Sequence, residues 1–178
     1  FKQKKLASIN DFVRPTSSLK REAFFSIIES YAIKNSIELY KNKIFLDLFA
    51  GIGTMGLEAI SRGMSEVIFF ENNIEVLNIL KKNCLAICKH DQFEVYEEDL
   101  IHSKLEIEFK NISVVYIDPP YEKYDLTRLL ENLSNNIKDT TLIGLEASVK
   151  NNIVIPENLN LLQKKTYGKT IIYILKLS

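Results

Sequence analysis

The chain predicts a doubly wound α/β fold: a mostly parallel sheet of seven strands that closes with an antiparallel C-terminal hairpin. Three observations predict it. Short apolar runs alternate with longer stretches of helical period along most of the chain. A glycine-rich turn, Gly51, Gly53 and Gly56, joins the first such run to the helical stretch after it. Near the C-terminus two runs are separated only by Gly168-Lys169, the spacing of a tight hairpin.

The elements follow in order. Arg14-Pro15-Thr16-Ser17-Ser18 is a turn, with Thr16, Ser17 or Ser18 as N-cap of a helix whose apolar stripe is Ala23, Phe24, Ile27, Ile28 and Tyr31. Ile44 to Leu48 is the first central strand. Thr54 to Arg62 is the helix after the glycine turn, ended by Gly63. Glu66 to Phe70 is a second strand, with Glu71 at its end. Asn72 or Asn73 caps the next helix, whose stripe is Leu77, Leu80, Cys84 and Ile87. Phe93 to Tyr96 is a third strand and runs out into Glu97-Glu98-Asp99. Val114 to Ile117 is long enough for a buried strand and too short for a helix. Pro119 and Pro120 lack the N–H a ladder requires, so this strand ends at Asp118. Tyr124 to Ile137 is a helix, Thr140 to Leu145 a fifth strand ending at Glu146, and Leu159 to Tyr167 with Thr170 to Leu177 the hairpin.

Composition bounds the function. The 178 residues are 46% hydrophobic, enough for the core of a single domain spanning residues 1–178. No apolar run approaches the roughly 18 residues of a membrane span, and no signal peptide is visible, so neither a membrane nor secretion is expected. The only cysteines, Cys84 and Cys88, are four apart on one helix face and read as core residues; a reducing cytoplasm fits them. His90 and His102 stand at no ligand spacing, so no metal is expected. The chain opens at Phe1 rather than Met, and further N-terminal residues are expected to precede it. A net charge of zero hides a pattern: residues 1–22 carry Lys2, Lys4, Lys5, Arg14, Lys20 and Arg21 against two acids, a net +4. Residues 150–178 carry five lysines against one acid, again +4, which leaves the middle at −8. Two basic ends that meet in space would form one anion-binding face; the alternative is an ordinary solvated surface.

The chemistry gathers at strand ends. A glycine turn between strand and helix brings backbone N–H groups and a helix N-terminus to a ligand, and Glu71, twenty residues after Gly51, suits a ribose diol. A nucleoside-bearing cofactor is expected. A dinucleotide fits the spacing; Asp47, just before the turn, suits a cationic amino acid better than a pyrophosphate, and Asp99 suits an adenine amino group. These two favour S-adenosylmethionine. Asp118, the carbonyls of Pro119 and Pro120 and the ring of Tyr121 form a rigid corner rich in acceptors. A planar amino group on a base would use it: the carboxylate and the Pro119 carbonyl take the two N–H bonds, the nitrogen pyramidalises, and its lone pair turns toward a methyl donor while Tyr121 stacks on the base.

Together, Arg14-Pro15-Thr16, the run from Asp47 through Gly51-Ile52-Gly53-Thr54-Met55-Gly56 to Gly63, and Asp118-Pro119-Pro120-Tyr121 resemble the RsmD family of bacterial guanine-N2 methyltransferases of small-subunit ribosomal RNA. The resemblance implies a Rossmann-like class I methyltransferase sheet, S-adenosyl-L-methionine as donor, and 16S rRNA within an assembling small subunit as partner of a monomeric, cytoplasmic enzyme. It implies a cofactor site of Asp47, Phe49, Gly51, Gly53, Glu71, Asn72, Asp99 and Leu100 and a catalytic corner of Asp118, Pro119, Pro120 and Tyr121. Residues 1–15 resemble the remnant of a basic N-terminal extension, with Lys2, Lys4, Lys5, Arg14, Lys20 and Arg21 as RNA contacts. Two departures touch those contacts: Ser18-Leu19 stand where the family has Asp-Arg, and Gln3 replaces a usual glycine. An oxidoreductase using NAD, a related DNA or RNA amino-methyltransferase, and a non-catalytic ribosome-assembly binder are the competing readings.

Overall fold

A computed structural model describes residues 18–100, 105–120 and 126–178. The elements are α1 (Ser18–Asn35), β1 (Ile44–Asp47), α2 (Thr54–Arg62), β2 (Glu66–Phe70), α3 (Ile74–Ile87), β3 (Phe93–Tyr96), β4 (Ile112–Ile117), α4 (Thr127–Asn136), β5 (Leu142–Ser148), β6 (Leu159–Tyr167) and β7 (Thr170–Leu177). One seven-stranded sheet has the order β3-β2-β1-β4-β5-β7-β6, a doubly wound arrangement with the C-terminal hairpin at one edge. The first five strands pair in parallel, and β7 enters antiparallel between β5 and β6.

Alternation along the strands builds two cores. Phe45, Val67, Phe69, Val114, Tyr116 and Leu142 face one way, under Phe24, Phe25 and Ile28 of α1, Met55 and Ala59 of α2, and Leu80 of α3. Leu46, Ile68, Val115, Ile117, Ile143 and Leu145 face the other way, under Leu130 and Leu133 of α4. Strands buried on both faces read as continuous apolar runs, which is why β4 and β5 stand out in the sequence.

Chain order reverses beside β1, which has β2 on one side and β4 on the other. From there β2 and β3 extend in one direction, β4 and β5 in the opposite one, so the crevice at the C-terminal ends of β1 and β4 is the topological switch point. The register sets Asp47 beside Tyr116 across β1 and β4.

Several boundaries differ from the expectation. The strand expected over 140–145 is β5, Leu142–Ser148, so Glu146 lies inside it, opposite Ile172 of β7. The antiparallel partner extends the strand where an isolated segment would end. Thr141, just before it, is buried with its hydroxyl donating to the Ile112 carbonyl at 2.9 Å. The helix expected from Tyr124 is described from Thr127, and Tyr124 lies outside the described residues, as do Thr16 and Ser17. Asn73 rather than Asn72 caps α3, its side chain accepting from the backbone N–H groups of Glu75 at 3.0 Å and Val76 at 3.2 Å.

Helix α1 is seated by a missing side chain. A Cβ on Gly144 would lie 2.2 Å from Phe24 Cε2 and 2.9 Å from Phe24 Cζ. The Phe24 ring also meets Tyr116 edge-on at 4.9 Å. Gly144→Ala is therefore expected to lift Phe24 off the sheet and lower stability by about 1–3 kcal/mol, measured by urea unfolding. A stability equal to the parent's would show that α1 is not held by this contact.

Candidate active site

At the switch point, side chains from β1, β2, β4 and β5 converge. Asp47, the last residue of β1, is only 2% exposed. Its carboxylate accepts the backbone N–H of Gly56, in the first turn of α2, at 3.2 Å. Burial is the main force on its charge and pushes its pKa up to about 8; the N–H bonds from Gly56 and Phe49 act the other way. Among the described residues, the charges of Asp118 and Glu71 raise it further.

The glycine turn is held from three directions. Gly53 has φ +87° and forms the N-cap of α2, a conformation L side chains rarely adopt. Gly51 donates its N–H to Glu71 Oε2 at 2.9 Å, while Glu71 Oε1 accepts from Asn73 at 2.7 Å. These bonds aim the Glu71 carboxylate and leave each oxygen further acceptor capacity. From α3, Asn83 donates its side-chain amide to the Ile52 carbonyl at 3.0 Å, with Asn83 buried. Gly56 does a different job: a Cβ there would stand 2.3 Å from Phe69 Cε1, so the third glycine lets α2 pack on β2.

Phe49 is half-buried against the α4-side core, and Asn72 is exposed beside Glu71. Asp99 is half-buried three residues beyond β3, and Leu100 after it is in the core. Asp118 and Pro119 follow β4 directly, both partly open to solvent, and Pro120 is exposed. Burial, then the charge of Glu146, pushes the Asp118 carboxyl up to about 7, while Lys20 pulls it down. Tyr121 lies outside the described residues, as do Lys2, Lys4, Lys5 and Arg14.

The two described cations expected to meet RNA are both committed to acids. Lys20 forms an ion pair with Glu146, the two side chains 16% and 1% exposed. Arg21 Nε stands 3.4 Å from Glu58 Oε2, in a cluster where Arg62 bonds Glu58 at 2.9 Å and Glu29 at 3.1 Å. Two residues of this region escaped the sequence reading, Asn83 and the interior position of Glu146. The signal for Asn83 was a polar residue one place from Cys84 on a helix whose buried stripe it shares. Glu146 was visible as an acid after an apolar run, but its burial depends on β7.

Among the described residues no His, Cys, Asp and Glu cluster could hold a metal, and no helix is long and apolar enough to cross a membrane. The arrangement gathers carboxylates at the C-terminal ends of the strands, with the glycine turn on one side and a proline-braced acid on the other. Such a set of acids attracts a cationic ligand and repels a pyrophosphate.

Residues 1–176 match the family model described as Conserved hypothetical protein 95. A ribosomal RNA small subunit methyltransferase D from Haemophilus influenzae is 33% identical over 172 residues, 93% of this chain and 84% of that protein. A crystal structure of a Haemophilus influenzae protein assigned to the methylases superposes with a TM-score of 0.75 at 27% identity, covering 88% of this chain and 98% of that one. The fold is shared more widely: an RNA methyltransferase from Salinibacter ruber, solved in complex with S-adenosyl-L-homocysteine, gives a TM-score of 0.67 at 13% identity, over 92% of this chain and 94% of that one.

Two outcomes follow from the geometry. Asn83→Ala is expected to leave the Ile52 carbonyl without its buried donor and lower stability by about 1–3 kcal/mol, read by thermal unfolding. The second concerns pH. With the Asp47 carboxyl raised to about 8, the stability it contributes is present below its ordinary range near 4 and is lost as pH rises through about 8. The stability difference between parent and Asp47→Asn should therefore shift against the parent from pH 5 to pH 9 in urea titrations; a constant difference would contradict a raised Asp47.

Proposed function

The chain belongs to the RsmD family, the family matched by the model described as Conserved hypothetical protein 95, and on that premise we propose that it transfers a methyl group from S-adenosyl-L-methionine to the exocyclic N2 of a guanine in 16S rRNA of the small ribosomal subunit. One observation supports the cofactor half: Asp47 is buried at the switch point, and the largest charge effects on it among the described residues come from acids, Asp118 and Glu71. S-adenosylmethionine brings an ammonium and a sulfonium, so it relieves that repulsion. A dinucleotide would add the charge of its pyrophosphate to it, which disfavours the oxidoreductase reading.

Asp47 and Glu71 would hold the amino acid and ribose ends, with Asp99 at the base. Bound there, the cofactor supplies an electrophilic methyl group. The chain's own residues do the rest. The Asp118 carboxylate and the Pro119 carbonyl accept the two N–H bonds of the target amino group, which frees its lone pair from the ring. Pro119 and Pro120 offer no competing N–H donors and fix the corner's shape. After transfer the nitrogen carries an extra proton, and Asp118 would receive it. Guanine, rather than adenine, and ribosomal RNA, rather than DNA, are supported by the family alone.

Calorimetry with S-adenosylhomocysteine and with NAD separates the cofactor readings; heat with NAD and none with the former would remove the methyltransferase reading. Labelled methyl transfer to small subunits from cells lacking the gene, followed by mapping of the modified base, tests the substrate. Asp118→Asn is expected to lower turnover by about 10²–10⁴-fold while S-adenosylhomocysteine affinity stays within about threefold. Because the carboxylate is the working form and its pKa is about 7, turnover should rise with pH up to about 7 and then level. Parental turnover in Asp118→Asn would remove this role, and RNA binding that persists without any methyl transfer by the parent would favour an assembly binder.

A further inference from the structure

The acid beside Asp118 has no part in the mechanism above. Strands β4 and β5 run parallel with Ile117 opposite Leu145, so the next step of each chain brings Asp118 abreast of Glu146. Alternation puts Asp118 on the same sheet face as Tyr116. The Tyr116 hydroxyl donates to Glu146 Oε1, which places the Glu146 carboxylate on that face too. Helix α1 crosses the same face. Phe24 lies over Gly144, and Lys20, one turn earlier on the same side of the helix, reaches Glu146 Oε2 at the strand position two residues beyond. A lysine ammonium, a buried glutamate and the acceptor acid are thus lined up across α1, β5 and β4.

We propose that Lys20 is a positioning residue of the acceptor corner, which through its ion pair with Glu146 keeps Asp118 ionised and its oxygens free to accept the target amino group. The proposal rests on the methyl-transfer reading and gives that site a cation the sequence had assigned to RNA. Two carboxylates side by side in a partly dry site cannot both stay charged without a counter-ion. Glu146 is 1% exposed and takes two donors, the Tyr116 hydroxyl and the Lys20 ammonium. Those two bonds fix its direction. The charged and titratable groups around Asp118 among the described residues are Lys20 from α1, Asp47 from β1, Tyr116 from β4 and Glu146 from β5. Lys20 alone of these is a cation. Glu146 acts on Asp118 in the direction of protonation and Lys20 against it.

A structural brace and a charge-setting pair differ in what their removal does to Asp118. Lys20→Met keeps the aliphatic stem and removes the charge, so the Asp118 midpoint should rise by about half a pH unit or more. Glu146→Gln removes the neighbouring acid, so the midpoint should fall by a similar amount. Lys20→Arg should restore the parental value. The midpoint is read by carbon-13 NMR of the Asp118 carboxyl in the ligand-free protein, without reference to activity. The pH–rate profile of methyl transfer should then follow, with Lys20→Met about 3–10-fold slower than the parent at pH 6.5 and within about twofold of it at pH 9. Opposite shifts in the two variants support the proposal. An unchanged midpoint in Lys20→Met overturns it even where methyl transfer stands, and if that variant fails to fold, an unchanged or raised midpoint in Glu146→Gln overturns it equally. Opposite shifts in a chain that transfers no methyl group overturn the functional reading instead, leaving the charge coupling itself in place.

Discussion

Repulsion among carboxylates at the C-terminal ends of parallel strands is the constraint around which this fold is arranged. Parallel strands deliver their last residues to one edge, and here β1, β2, β4 and β5 each deliver an acid there or close by: Asp47, Glu71, Asp118 and Glu146. Each is handled differently. Asp47 is buried against the first turn of α2 and takes a backbone N–H. Glu71 is turned onto the glycine loop and takes two. Glu146 takes a phenol and an ammonium. The acids at the crevice itself, Asp47 and Asp118, are the two whose carboxyls are pushed furthest upward among the described carboxyl groups. A site that costs stability when empty and is relieved by positive charge couples folding energy to ligand choice.

Much of this could be read in the chain because the determinants are local. Pro119 and Pro120 end β4 wherever the strand lies in the sheet, so Asp118 is at the edge on sequence grounds alone. Gly51, Gly53 and Gly56 mark the turn between β1 and α2, and the structure divides their work: a left-handed cap at Gly53, close packing at Gly56, and a donor to Glu71 at Gly51. The seven strands follow from local apolar runs and turn signals; their order in the sheet depends on pairing between distant segments.

What the sequence hid is long-range. The partner of Lys20 is 126 positions away, and α1, with Phe24 over Gly144, brings the two together. Seen in the sequence, Lys20 belongs to a basic N-terminal cluster, and composition assigns it to the same surface as its neighbours. Glu146 looks like the end of a strand until β7 pairs with it from the far end of the chain. Asn83 interrupts an apolar stripe, but its partner, the Ile52 carbonyl, is identified only once α3 lies beside the glycine turn. Local pattern determines which elements form; side-chain partners between elements need the topology.

The same topology bears on how the chain meets a large anion. The net positive charge of the N-terminal region counts six cations, of which Lys20 and Arg21 are described and both engage acids, Glu146 and Glu58. A cation paired in a partly buried site releases few counterions when a polyanion arrives, because its charge is already balanced by protein. The described cations of α1 expected to meet RNA, Lys20 and Arg21, are therefore turned toward the protein's own acids. Lys20, in the first turn of α1, thus answers an acid that the strand pairing sets beside Asp118.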